Sequence, residues 1–188
     1  GRLRAAVKWG IGVDNVDFDA CKDLGIPIIN TPQMFGAEVA DVATGLVIGL
    51  ARQLFLIDRG VRAGGWPKPA GISLAGRTVG VIGLGDIGRN TVTRLQALGL
   101  KAIAYDPGVT GDAGLDGLTR AAWPDRVEEC DFLVFTCALN KHNFHMLNAD
   151  VLARCMPGVR IVNVARGPLT DEAALIAALQ SGRVHSAA

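Results

Sequence analysis

Short runs of apolar and β-branched residues alternate along this chain with longer stretches in which apolar positions recur at helical spacing. Several of the short runs are almost uninterrupted, which is typical of strands buried on both faces of a sheet. The alternation of strands with helices predicts an α/β protein, in which a parallel sheet carries helices on its faces. The predicted strands are Ala5–Trp9, Ile26–Asn30, Thr78–Ile82, Lys101–Tyr105, Phe132–Thr136 and Arg160–Val164.

The amphipathic stretches predict helices at Asp17–Leu24, Ala37–Arg62, Ile87–Leu98, Asn148–Cys155 and Asp171–Ser181. The longest of these contains Gly45 and Gly49. Each glycine would cost about 1 kcal/mol relative to alanine in an exposed helix. Their presence in one helix therefore indicates close packing against another helix.

The pattern divides the chain near residue 36. Residues 1–36 hold one βαβ segment, which is too short to fold as a domain, and residues 37–188 hold a larger α/β unit. A stretch rich in glycine and proline at residues 64–76 predicts a loop inside the larger unit.

Composition and charge exclude several classes of protein. A hydrophobic fraction of 49% excludes a disordered chain. A net charge of +1 gives no general attraction to nucleic acid or to an anionic membrane. The longest charge-free apolar run, Val42–Ala51, is shorter than the roughly 20 residues of a membrane span. The four cysteines form no C-x-x-C pair, so we expect a cytoplasmic protein without a bound metal.

The sharpest motif is Gly83-Leu84-Gly85-Asp86-Ile87-Gly88, which follows a predicted strand and begins a predicted helix. In that context the first glycine permits a tight turn, the second lets a pyrophosphate approach the backbone, and the third allows close packing of helix and strand. Asp106 lies 18 residues after Gly88, where a carboxylate can bind both ribose hydroxyls. It would repel a 2′-phosphate, and Pro107 and Gly108 supply no arginine, so the motif favours NAD over NADP. The alternative is a glycine-rich turn that binds nothing.

Two further segments are candidates for anion binding. Arg166 follows a buried strand, at the end where ligands bind in open α/β sheets, and an arginine can hold a carboxylate with two parallel hydrogen bonds. The alternative is a structural pair with an acid such as Asp171. Gly10 and Gly12 follow the first strand, and their amides can form an anion-binding nest. The alternative there is an ordinary turn capped by Asp17.

Five segments together resemble the D-isomer-specific 2-hydroxyacid dehydrogenase family, with D-3-phosphoglycerate dehydrogenase-like enzymes as the nearest branch. They are GIGVDNVD, LAGRTVGVIGLGDIGR, AYDP, VNVARGPLTDEAAL and LQSGRVHSAA, and they keep the family's order and spacing over essentially the whole chain. The resemblance implies a Rossmann-type doubly wound parallel sheet that binds NAD in residues 37–188. Residues 1–36 would be the C-terminal remnant of a flavodoxin-like α/β substrate domain.

The resemblance also implies an activity and a set of functional residues. The activity is hydride transfer between NAD and a small D-2-hydroxy or 2-keto acid, with Arg166 as the catalytic arginine that binds the substrate's carboxylate and carbonyl oxygen. Gly10, Ile11 and Gly12 match the loop that holds the substrate carboxylate. The cofactor-binding positions correspond to the pyrophosphate loop, the ribose acid, the residues after the fourth strand and the nicotinamide-side contacts, which are Gly83, Gly85, Asp86, Ile87, Gly88, Asp106, Cys137, Ala138, Val164 and Ala165.

Departures from the family pattern leave a second interpretation open. Thr136 and Ala138 stand where the family usually has a histidine and a proline, and residues 137–148 are closer to its branch of NAD-binding corepressors. The alternative function is therefore an NAD-sensing binding protein, although the retained Arg166 favours an enzyme. The family's catalytic glutamate and histidine lie downstream of residue 188, so we expect neither within this chain.

The predicted helix Ala37–Arg62 is also the expected site of a homodimer contact. It is too apolar to lie open to water, and dimers of the family form through the cofactor domain. The alternative is that this helix is buried inside one subunit.

Overall fold

The computed structural model describes residues 2–111 and 113–188. The chain divides into two compact units, Gly1–Gly36 and Ala37–Ala188. In the first unit, strand β1 (Ala6–Lys8) pairs in parallel with strand β2 (Ile28–Asn30), and helix α1 (Phe18–Asp23) connects them. Asp17 caps α1, because its carboxylate accepts a hydrogen bond of 2.8 Å from the amide of Ala20.

The second unit is a parallel sheet of six strands with five helices. The strands are β3 (Thr78–Ile82), β4 (Lys101–Tyr105), β5 (Thr119–Arg120), β6 (Phe132–Phe135), β7 (Val159–Asn163) and β8 (Val184–Ala187). The helices are α2 (Gly36–Arg52), α3 (Leu54–Arg62), α4 (Asp86–Ala97), α5 (Ala149–Arg154) and α6 (Glu172–Gln180). Short 3₁₀ turns occupy Val127–Glu129 and Gly167–Leu169.

The strand order confirms the predicted doubly wound sheet. It runs β5-β4-β3-β6-β7-β8, and every pair is parallel. The chain leaves β3 toward one edge of the sheet and later returns to the other side of β3 with β6. The order of the strands thus reverses between β3 and β6, and a crevice opens at the carboxyl ends of these two strands. Doubly wound sheets bind ligands at such a reversal of strand order.

Helices cover both faces of the sheet, which explains the nearly continuous apolar strands. All four residues of β6 are buried. Leu133 and Phe135 belong to the core on one face, with Ile82 and Ile161, while Phe132 and Val134 belong to the core on the other. Because successive side chains of a strand point to opposite faces, a strand buried on both sides needs apolar residues at every position.

The prediction of one long helix over Ala37–Arg62 is wrong. The helix ends at Arg52, Gln53 takes a left-handed conformation with φ of 55°, and α3 continues at an angle of 71°. The bend lets Phe55 fold back onto Gly49, where a Cβ would lie only 2.7 Å from the phenylalanine ring. Gly49 thus packs closely as expected, whereas a Cβ on Gly45 would meet no atom of the described residues within 4 Å.

No single helix within residues 2–111 and 113–188 has the length and apolarity to cross a membrane. The bent pair α2 and α3 meets these criteria only when its two helices are counted together.

Candidate functional site

The glycine motif joins β3 to α4 at the crevice, and its three glycines meet different demands. Gly83 has a φ of 96°, and a Cβ there would lie 2.6 Å from the Cα of Cys137. A Cβ on Gly88 would lie 2.0 Å from the carbonyl oxygen of Gly83. The first glycine is therefore required by close packing against the segment after β6, and the third by packing within the loop.

Gly85 is different, because a Cβ there would meet no atom of the described residues within 4 Å. Gly85 is the N-cap residue of α4, and no side chain in the described part of the chain caps it. The amides of the first turn, which includes Asp86 and Ile87, have no acceptors within the helix. An open cradle thus lies at the positive end of the helix dipole, and its shape and charge fit a pyrophosphate.

Thr136, the residue after β6, supports this loop from the neighbouring strand. Its hydroxyl oxygen lies 2.7 Å from the carbonyl oxygen of Gly83 and 3.0 Å from that of Ile82. The same oxygen lies 3.1 Å from the position of a Cβ on Gly88. Thr136 therefore holds the ends of β3 and β6 together. The sequence marked it only as a departure from the family's usual histidine.

Asp106 is the residue after β4, and two backbone amides hold its carboxylate. The amide of Leu84 donates to Oδ2 at 2.7 Å, and the amide of Gly108 donates to Oδ1 at 2.8 Å. These bonds fix the carboxylate beside the glycine loop. Each oxygen retains a second lone pair for a ribose hydroxyl.

An arginine also reaches the neighbourhood of Asp106, although the residues next to it in sequence supply none. Arg120 of β5 donates from Nη2 to the backbone carbonyl of Asp106 at 3.2 Å. The sequence pattern did not predict β5, because this strand has only two residues and both are exposed. The expectation that no arginine accompanies the acid was therefore incomplete.

Cys137 and Ala138 follow Thr136 at the mouth of the crevice. The Nδ2 atom of Asn143 donates to the carbonyl oxygen of Ala138 at 2.7 Å and lies 3.8 Å from the Cys137 sulfur. Burial, together with the negative charge of Asp106, raises the pKa of the Cys137 thiol to about 11. The thiol is therefore protonated at neutral pH.

Alkylation of Cys137 is expected to be slow near pH 7.5 and to accelerate by about tenfold per pH unit up to its raised pKa, because the thiolate is the reacting species. Peptide mass spectrometry after timed treatment with iodoacetamide measures the rate, with the Cys137→Ser variant identifying the modified peptide. A rapid rate that does not change between pH 7 and 9 would show that the thiol is already ionised.

The turn after β7 places Val164, Ala165 and Arg166, and Asn163 shapes it. The Asn163 side chain donates to the carbonyl oxygen of Arg166 at 2.9 Å and accepts from the amide of Ala165 at 3.0 Å. Arg166 is half-buried, and its Nη1 donates to the carbonyl oxygen of Ala165 at 2.8 Å. Asp171, the structural partner considered from the sequence, caps α6 by accepting from the amide of Ala174 at 3.1 Å. Sequence analysis did not single out Asn163, although a polar residue at the end of a buried strand was a usable signal.

The Gly10–Gly12 loop belongs to the first unit. Gly10 has a φ of 140°, and its amide donates to the Thr31 hydroxyl at 2.9 Å. The Asn30 side chain donates to the carbonyl oxygen of Ile11 at 2.9 Å. The amides of Ile11 and Gly12 make no hydrogen bond to the rest of the described chain, so these two amides are the ones available to an anion.

In the part of the chain that the structure describes, no group of three or more His, Cys, Asp or Glu side chains could hold a metal ion.

Comparison with known proteins identifies the family to which this site belongs. The protein-family model described as D-isomer specific 2-hydroxyacid dehydrogenase, NAD binding domain, matches residues 44–188. That range is most of the chain, and the chain therefore belongs to this family of oxidoreductases and carries its NAD-binding domain.

Individual relatives agree with this assignment. The chain is 37% identical to D-3-phosphoglycerate dehydrogenase of Homo sapiens, over 100% of this chain and 36% of that protein. It is 36% identical to hydroxypyruvate reductase of Thermotoga maritima, over 98% of this chain and 60% of that protein. The structure of a glyoxylate reductase from Paecilomyes thermophila matches with a TM-score of 0.87 and 36% identity, over 96% of this chain and 57% of that one.

The chain thus spans about a third of the length of the human relative and less than two thirds of the other two. All three are named as dehydrogenases or reductases, so they give no support to the corepressor alternative.

Proposed function

We propose that the protein containing this chain interconverts a D-2-hydroxy acid and its 2-keto acid with NAD as the redox coenzyme. The observation that carries the proposal is the open cradle over Gly85, with the fixed carboxylate of Asp106 beside it. Both features lie at the carboxyl ends of the parallel strands, and Arg166 follows the carboxyl end of β7. The proposed pyrophosphate site and a guanidinium that can bind a carboxylate thus lie at the same end of the strands of one sheet.

Each of these residues has a distinct task in the proposal. NAD, when bound, supplies the acceptor or donor of hydride at its nicotinamide ring. The amides of the first turn of α4 bind the pyrophosphate, and Asp106 binds the adenosine ribose. The loop residues Val164 and Ala165 would line the nicotinamide end.

Arg166 would bind the substrate itself. Its planar guanidinium can hold a carboxylate with two parallel hydrogen bonds. A donor at the carbonyl oxygen also stabilises the negative charge that develops there during reduction. The Gly10–Gly12 loop is proposed as a further carboxylate-binding element, through the amides of Ile11 and Gly12.

Names of relatives support the substrate class. The human relative is named for 3-phosphoglycerate, the bacterial one for hydroxypyruvate and the fungal one for glyoxylate. These compounds are 2-hydroxy or 2-oxo acids, and for this protein we propose 3-phosphoglycerate or a related small acid. An assay of the intact protein with NAD and NADH against such a panel follows absorbance at 340 nm. We expect turnover of at least one member, and coenzyme binding without turnover of any would contradict the proposed activity.

We also propose a homodimer formed through α2 and α3. Val42, Leu54, Leu56 and Val61 are exposed to between 45% and 57% on these helices. Large apolar side chains that are left exposed on consecutive helices are candidates for a protein interface. A second copy of the chain is the proposed partner, because soluble oligomers are most often symmetric dimers.

Leu56→Glu is expected to convert the dimer to a monomer, because it would place a charge in an apolar interface. Light scattering coupled to size-exclusion chromatography of the intact protein measures the mass. Ala97→Glu, at an exposed position on α4, is the control and should leave the mass unchanged. A wild-type protein that is monomeric at micromolar concentration would refute the proposed dimer.

The proposed location is the cytoplasm. All four cysteines carry free thiols, and thiols persist in reducing compartments. Cell fractionation with an antibody against the intact protein tests this, and recovery from an oxidising compartment would contradict it.

A further inference from the structure

A positively charged side chain that does not belong to the glycine motif lies next to the proposed coenzyme site. Arg120 ends β5, which runs parallel to β4 with Arg120 opposite Ala104. Its side chain crosses the end of β4 and donates from Nη2 to the carbonyl oxygen of Asp106. The guanidinium therefore lies beside the residue whose carboxylate binds the adenosine ribose.

The structural role of this side chain is small. Arg120 is exposed, and its backbone, rather than its side chain, joins β5 to β4. A guanidinium carries five N–H donors, and the bond to Asp106 uses one of them. Arg120 takes part in none of the ion pairs found within residues 2–111 and 113–188.

The two side chains have opposite effects on a 2′-phosphate of the adenosine ribose. The carboxylate of Asp106, fixed by the amides of Leu84 and Gly108, repels the phosphate and binds the ribose hydroxyls of NAD. The guanidinium of Arg120 has the charge and geometry that bind a phosphate. Because the site already holds the cation, the rejection of NADP depends on the carboxylate.

From this arrangement we infer that Arg120 is a coenzyme-selectivity residue, which gives the site an affinity for the 2′-phosphate that Asp106 suppresses. The inference rests on the proposed coenzyme site. It adds that the preference for NAD is set by the balance of Asp106 and Arg120, and that removal of the carboxylate alone makes the protein bind NADP.

The test is a titration of four forms of the intact protein with NAD and with NADP by calorimetry. These forms are the wild type, Asp106→Ser, Asp106→Ser with Arg120→Gln, and Asp106→Ser with Lys101→Gln. Lys101 is exposed at the opposite end of β4, so its replacement removes the same charge away from the site. Wild-type binding of NAD tests the coenzyme site by itself and therefore separates a failure of the proposed function from a failure of this inference.

Asp106→Ser is expected to lower the ratio of the NADP to the NAD dissociation constant by about 100-fold. Adding Arg120→Gln should remove most of the gained NADP affinity, about tenfold or more, while adding Lys101→Gln should preserve it. Equal NADP affinity in the two double variants would overturn the inference.

A second comparison keeps the inference testable if Asp106→Ser does not fold. Adenosine 2′,5′-bisphosphate is titrated into the wild type, Arg120→Gln and Lys101→Gln, all of which retain the carboxylate. Arg120→Gln alone should weaken binding, by about fivefold. The same affinity in all three proteins would show that Arg120 does not contact the 2′-phosphate.

Discussion

Replacing Arg166 with glutamine in the intact protein is expected to lower kcat/KM by about 10³-fold or more. The substitution removes a charged donor from the substrate's carboxylate and from the oxygen at which negative charge develops. NAD affinity should change little, because the residues proposed to bind the pyrophosphate and the adenosine ribose follow β3 and β4, whereas Arg166 follows β7. Steady-state kinetics with the best acid from the panel, together with an NAD titration, measures both quantities.

Two further variants make this result specific. Arg166→Lys retains the charge but loses the planar fork, so it should recover only a part of the activity. Arg154→Gln makes the same chemical change at an exposed position of α5, and it should retain full activity. Turnover of Arg166→Gln within a few-fold of the wild type would exclude Arg166 from the chemistry.

Alanine substitutions at Gly85 and Gly88 are expected to damage different properties, namely NAD binding in the first case and the stability of the fold in the second. Gly85→Ala adds a methyl group to open space at φ of −72°, so the free energy of unfolding should fall by less than about 1 kcal/mol. The same methyl group fills the cradle and should weaken NAD binding by about 100-fold. Gly88→Ala forces a methyl group against the Gly83 carbonyl and should destabilise the fold by about 3 kcal/mol or more.

Chemical unfolding and NAD titration of the same preparations separate these two outcomes. Gly45→Ala is the matched control, because it also adds a methyl group to open space, but within α2 and away from the cradle. It should leave NAD affinity unchanged and stabilise the helix by up to about 1 kcal/mol. If Gly85→Ala bound NAD as tightly as Gly45→Ala, the cradle over Gly85 would not be the pyrophosphate site.

The central strands could be predicted from sequence because burial on both faces imposes an unmistakable pattern. The predicted ranges of β3 and β4 agree with the structure residue by residue, and those of β6 and β7 differ by one residue at their ends. The sheet edges carry a weaker signal. In β8 only Val184 is buried, and β5 has two exposed residues, so neither strand stands out from a loop.

The break in the predicted helix Ala37–Arg62 depends on tertiary packing. Gln53 has no strong preference for a left-handed conformation, and the stretch around it keeps helical spacing. The bend is accompanied by the packing of Phe55 onto Gly49, a contact that only the three-dimensional structure shows.

The coenzyme loop was predictable because its three glycines stand at fixed spacing directly after a buried strand and at the start of a helix. Its supporting residues were not, because they come from other strands. Thr136 reaches the loop from β6, and Arg120 reaches Asp106 from β5. Spacing along the chain contains no information about such contacts until the order of the strands is known.

A crystal structure of the intact protein with NAD tests the account most directly. The account predicts pyrophosphate oxygens within hydrogen-bonding distance of the amides of Asp86 and Ile87, with both adenosine ribose hydroxyls on Asp106. A coenzyme bound elsewhere on the protein, with the turn at Gly83–Gly88 empty, would contradict it.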